Sequence, residues 1–190
     1  SFQTAAVSAI TRSARGVLAV AVKDATEGGA AEAAYKSLAE VPEDKFSPEN
    51  YRLLKLAFLA APTKVWVLRV GEDAEKTYQA LERLRFDWLA APGLEDARVM
   101  SFIKTLRSGG RGVKAVVANA TAPDCEGIVN LCVSGLTLED GAMEAKDYAV
   151  RVAALLAALP LTRSATYVNL PEVVGCDALA EPDEIGRAHV

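Results

Sequence analysis

KDYAVRVAALLAALPLTRSATYVNL, residues 146–170, decides how the rest of the chain is read. Tyr148, Val152, Leu155, Leu156 and Leu159 recur at the spacing that lines side chains along one side of a helix. Ala149, Ala153 and Ala157 form a second row that carries only methyl groups, so another backbone can come close there. No charge falls between Arg151 and Arg163, yet the run is too short and too rich in alanine to span a bilayer. The pattern predicts a helix buried on more than one side and stopped by Pro160, which has no N–H to continue it. A turn at 161–164 then feeds an extended run at 166–170. Helix, turn and buried strand are half of a parallel crossover unit.

The segments upstream repeat that alternation. Residues 17–22 are an unbroken apolar run, the mark of a strand covered on both faces, and 65–70 (VWVLRV) read as a second buried strand. Ser47-Pro48-Glu49 opens a helix with a capping hydroxyl, a first-turn proline and an early acid. That helix carries Tyr51, Leu54 and Phe58 on one face and ends near Pro62. Residues 73–84 predict an amphipathic helix with Ala74, Thr77, Tyr78, Leu81 and Leu84 inside and Glu75, Lys76, Gln79, Glu82 and Arg83 in water. Residues 86–90 read as a short strand. Residues 94–106 read as a helix, with Glu95 and Asp96 first and Arg107 last, as its dipole favours. Strands follow at 113–118 and 128–133, and 139–146 leads into the alanine-rich helix. Residues 24–34 read as a loop, and 37–41 as a short strand or helical turn. The fold class expected is α/β, a layered domain with a largely parallel central sheet flanked by helices.

Composition bounds the function. A chain of 190 residues, 51% hydrophobic, can bury a sizeable core in one domain. Its 21 basic and 25 acidic residues give a net charge of -4, which asks for neither nucleic acid nor an anionic membrane. Cys125, Cys132 and Cys176 have no metal-ligand spacing and read as free thiols of a reducing compartment. No secretion signal or membrane span is visible, so a soluble cytoplasmic product is expected. The chain opens without Met inside an apolar stretch at 2–10, and its last residues, 184–190 (EIGRAHV), match one frame of a sequencing adapter. Residues 1–180 are therefore read as one domain of a fragment, with 184–190 set aside together with His189, the only histidine.

Ligands of open α/β sheets bind beyond the carboxyl ends of the strands. Here those segments are 69–73, 91–95, 119–126 and 171–175. They offer acids, an amide and a thiol but no imidazole. Ser108-Gly109-Gly110-Arg111-Gly112 follows a helix and precedes a strand, the reverse of a phosphate loop, and reads as a helix stop. Asp124, Cys125 and Glu126 are a metal or nucleophile candidate without a histidine partner, so the structural reading is preferred. Arg163 reads as a solvated or interface arginine, and Trp66, in a strand, and Trp88, between helices, as core residues. No residue is assigned to catalysis, a cofactor or a metal.

Four segments carry a resemblance. They are Phe46-Ser47-Pro48-Glu49-Asn50 with its helix, KVWVLR at 64–69, Asn119 onward into Glu126-Gly127-Ile128-Val129-Asn130, and LPLTRSATY at 159–167 followed by Leu170-Pro171-Glu172-Val173. In this order they resemble the tail sheath proteins of contractile phages, especially the type of Gram-positive prophages. The match covers most of residues 5–179; the 24–34 loop is unlike the family pattern. The resemblance implies a structural subunit with an α/β core and no cofactor. Such subunits polymerise with copies of themselves in stacked rings around a tail tube protein. Terminal arms add strands to neighbouring subunits, and contraction drives the tube through a cell envelope. It also implies assembly in the bacterial cytoplasm and a final place in the virion tail. Set against that pattern, the sequence is expected to be a fragment without the family's N-terminal arm and without the part that follows about Leu179. The competing reading is a small α/β enzyme or nucleotide-binding module, which requires a concave, polar-lined pocket at the strand ends.

Overall fold

The structure, a computed structural model, describes residues 16–119, 124–160, 165 and 168–177. Its first strand, β1 (Val17–Val22), is buried along its whole length. Val17, Ala19 and Ala21 pack into one hydrophobic layer, and Leu18, Val20 and Val22 into the other. Alternate side chains of a strand point to opposite faces, so an all-apolar strand needs a layer on each side.

β1 lies inside a six-stranded sheet of order β2-β3-β1-β4-β5-β6. The other strands are β2 (Glu32–Tyr35), β3 (Lys64–Arg69), β4 (Trp88–Ala90), β5 (Lys114–Val117) and β6 (Ile128–Asn130). All pairings are parallel except β2 with β3, which is antiparallel at the edge. The largely parallel α/β class read from the sequence is the observed one. After β3 the chain crosses to the other side of β1, so the switch point of the sheet lies between β1 and β4.

Helices α1 (Pro48–Phe58) and α4 (Ala145–Ala158) cover one face, and α2 (Ala74–Arg83) and α3 (Asp96–Ser108) the other. The Ser47 hydroxyl accepts the Asn50 N–H at 3.2 Å and caps α1, as its sequence dictates. Asp73 caps α2 through the Glu75 N–H at 3.0 Å. The predicted wet residues of α2 are exposed, while Thr77, Tyr78 and Leu81 are buried. Helix α3 stops at Gly109, with Gly110 at φ 85°, a conformation that favours glycine.

In α4 the alanine row is the one that meets the sheet. Ala149, Val150, Ala153 and Ala154 are buried in the layer of Leu18, Val20, Val65, Ala90 and Val116. Val152, Leu155 and Leu156 are only half-buried. Methyl side chains let the helix lie low over β1, β4 and β5, which it contacts. Ala153 has no exposed surface. Ala153→Leu is therefore expected to overpack the contact and cost about 1–3 kcal/mol. At roughly 2–4 °C per kcal/mol, thermal denaturation resolves this; an unchanged Tm rejects the placement.

Three expectations need correction. Among the described residues, the chain does not return to the large sheet after α4. Of the extended run expected at 166–170, residues 166 and 167 lie outside the described residues, and 168–170 are not a strand. The next described strand is instead β9 (Val173–Gly175), antiparallel to β7 (Thr137–Leu138), which also pairs with β8 (Gly141–Ala142). This small sheet packs Leu136 and Leu138 against Leu56 of α1 and Tyr148 of α4. Val174 at the middle of β9 is 67% exposed, as suits an antiparallel strand with one wet face. The second correction is β2, in a stretch read as loop. Ala and Glu give it little strand propensity, and pairing with β3 supplies the order. Residues 37–41 hold a 3-10 turn, Leu38–Glu40. Third, Trp88 opens β4 and does not lie between helices. Arg163, His189 and residues 2–10 and 184–190 lie outside the described residues.

Candidate functional site

The carboxyl ends of β1, β3 and β4 border a solvent-open hollow of about 730 Å³, lined by Lys23, Asp24, Glu72, Tyr78, Glu95 and Arg98 among others. Three of the four segments expected at the strand ends begin there or at β5; 171–175 belongs to the small sheet instead.

Asp24 follows β1, and its carboxylate has no exposed surface. It accepts the N–H groups of Thr26 at 2.9 Å and Ser47 at 3.0 Å, and Nδ2 of Asn50 at 2.8 Å. Arg69 Nη1 stands 3.6 Å away. Burial by itself pushes this carboxyl up, but the hydrogen bonds outweigh it and hold the group at about 2. Asn50 also donates to the Lys23 carbonyl at 2.8 Å, so the pair pins the start of α1 to the end of β1. Arg69 donates to Thr26 O at 2.7 Å and to Lys45 O, and stacks on Phe46. These polar groups are spent on holding loops.

The switch point itself is closed. The Gly93 N–H donates to Ala21 O at 2.9 Å. A Cβ at position 93 lies 2.7 Å from Lys23 N and 2.8 Å from Val22 C, so only glycine lets the two loops meet. The crevice in which doubly wound sheets receive their ligands is filled here by the chain's own backbone. The hollow beside it has acids and two cations. Among its described lining residues there is no imidazole and no thiol. Tyr78 is 5% exposed; its hydroxyl is buried without a hydrogen-bond partner, and burial pushes the phenol up. Arg98 lies over the Tyr78 ring and pairs with Glu75.

At the opposite end, a second open hollow of about 580 Å³ brings together Lys104, Arg107, Arg111, Asp124, Cys125 and Glu126. Arg107 donates to Val113 O at 3.1 Å and pairs with Glu126. Arg111 donates to Glu82 O at 2.9 Å and Leu84 O at 2.6 Å, and lies over Phe86. The glycine-rich segment thus ends α3 and lends α2 a guanidinium for its orphan carbonyls. Cys125 is half-buried against the α2–α3 core, Cys132 and Cys176 are exposed, and all three are free thiols. Among the described residues no group of three His, Cys, Asp or Glu is placed to hold a metal. Trp66 and Trp88 are half-buried, with Lys64 4.8 Å above the first ring and Lys114 5.3 Å above the second.

One cluster was not anticipated. Arg151, 6% exposed inside α4, donates through Nε to Glu172 Oε1 at 2.6 Å, and the Tyr148 hydroxyl donates to the same oxygen at 2.9 Å. It anchors the segment before β9 to α4. The signal was a lone arginine in an apolar helix, which needs a buried acid; nothing in spacing alone points to Glu172.

No family-level sequence profile matches the chain. The tail sheath protein of Clostridium phage phiCD119 is 32% identical over 189 aligned residues, covering 90% of this chain and 51% of that protein. The chain is a homologue of phage tail sheath protein. It spans about half the length of that curated relative. The sheath tail protein of Desulfitobacterium hafniense superimposes with a TM-score of 0.73 at 15% identity, covering 90% of the sheath homologue and 65% of that chain. The sheath tail protein of Listeria innocua gives 0.73 at 16% identity, covering 90% and 62%. At such identities the likeness shows a shared fold. Among the described residues of the sheath homologue, no helix is long and apolar enough to cross a membrane.

Proposed function

We propose that the sheath homologue is the α/β core of a structural subunit. Copies polymerise around a tail tube, and the assembled sheath contracts to drive the tube through the cell envelope. The observation that carries this reading is the 32% identity to a tail sheath protein, spread over 90% of the chain. The strand ends agree with it: the switch-point crevice is closed by Gly93, and Asp24 is saturated by structural hydrogen bonds. A sheet covered by helices on both faces is a rigid brick, so shape change belongs to contacts between bricks. Contraction then runs downhill from a strained lattice to one that buries more surface. The partners are copies of the subunit and the tube protein, and the place of work is the virion tail after assembly in the bacterial cytoplasm. The test is negative-stain electron microscopy of the complete gene product that carries this chain, expressed with its tube protein. Rings or tubes are expected; a persistent monomer at high concentration overturns the reading.

A further inference from the structure

We infer that the two ends of the large sheet are the two halves of a head-to-tail contact between copies of this chain, the acidic end of one receiving the basic end of the next. The inference rests on the sheath reading and names the surfaces that such a subunit uses.

The carboxyl end is acidic. Glu27, Glu72, Asp73, Glu75 and Glu95 are exposed there. Its cations include Lys23, which is exposed, and Arg98, which pairs with Glu75 and so cancels one of those acids. The other end is basic: Arg83, Arg85, Lys104 and Lys114 are exposed and Lys64 is half-exposed. Of the acids at that end, Asp87 is committed to the N–H groups of Gly16 and Val17 at 2.8 and 2.9 Å and Glu126 to Arg107, while Glu82 and Asp124 are exposed and outnumbered by the cations.

Helix dipoles account for part of this polarity, since acids favour helix N-termini and bases C-termini. They do not account for Lys64 and Lys114, which open strands, or for Arg85, which lies between α2 and β4. Lys64 and Lys114 are also held in place above tryptophan rings, which fixes their charge at the surface. Opposite charges at opposite ends of parallel strands make a heterologous contact, which propagates from copy to copy into a ring or an open row according to its rotation. Polar contacts of this kind set register and can be exchanged as copies move.

Charge reversal in the complete gene product tests this. The side chains of Glu72, Glu95 and Lys104 are exposed, and no side-chain hydrogen bond or ion pair holds them among the described residues. Glu72→Lys with Glu95→Lys, or Lys104→Glu with Lys114→Glu, is expected to raise the concentration for assembly at least about tenfold, because like charges then face each other. All four changes together, or an equimolar mixture of the two variants, are expected to restore assembly. Unchanged circular dichroism melting certifies folding. As a second readout, zero-length carbodiimide coupling of mixed light and heavy isotopic copies should join Lys104 or Lys114 to Glu72 or Glu95 between copies. Variants that assemble like the parent, or reversals that do not rescue each other, overturn the inference while the sheath reading stands. A parent that never assembles overturns both.

Discussion

Glu172→Ala is expected to lower stability by about 3–5 kcal/mol, the usual loss when one partner of a buried ion pair is removed. The Arg151 side chain is 7% exposed and that of Glu172 13%. Without Glu172, Arg151 keeps a charge inside α4 with no counter-ion, and Nη1 has no partner even now. Tyr148 loses the acceptor of its hydroxyl as well. Replacing both charges, as Arg151→Met with Glu172→Leu, should recover most of the loss, because the desolvation cost then vanishes with the pair. Urea denaturation of the single and double variants measures this, and a single variant as stable as the parent contradicts it. The pH dependence has a fixed sign. Burial pushes Glu172 up, but the hydrogen bonds from Arg151 and Tyr148 outweigh it and hold its pKa below the ordinary 4.5. Its contribution is complete above that ordinary value and is lost as pH falls through the depressed one.

Asp24→Asn is expected to cost about 2 kcal/mol at neutral pH, the linkage equivalent of a fall from 3.8 to about 2. An amide in that place turns Nδ2 toward donors and leaves Arg69 without its anion. The parent's advantage should be full above about pH 4 and fade as pH falls toward 2, where Asp24 takes up its proton in the folded state too. Denaturation midpoints of both proteins across that range show this as two converging curves. Curves that already coincide at pH 7 exclude the role assigned to Asp24.

Much of the fold was legible because burial on both faces leaves a plain trace in sequence. Residues 17–22 and 65–68 have apolar side chains at successive positions only because a layer lies on each side. Ser47-Pro48 and Asp73 announce their helices because capping is local chemistry. The resemblance in residues 159–173 pointed to the same proteins as the phiCD119 relative. What was missed depends on distant partners. β2 is ordered by β3, whose sequence says nothing about residues 32–35. The β7–β8 hairpin carried a local signal, Glu139-Asp140-Gly141, but its strands are too short for alternation to show. The destination of the chain after α4 was misread because a helix, a proline and a β-rich run suit an antiparallel satellite sheet as well as a crossover. The functional surfaces were least legible. Glu75, Lys76, Glu82 and Arg83 stood out as charges, but the division into acidic and basic ends exists only once the strands are parallel.

The most direct measurement is a helical cryo-electron microscopy reconstruction of the assembled gene product. The account predicts that residues 16–119 fit every subunit as one rigid body, with backbone shifts within about 1 Å and contacts confined to the surface. Ordered particles whose subunits do not contain this six-stranded sheet, or a product that stays monomeric at every concentration, contradict the account.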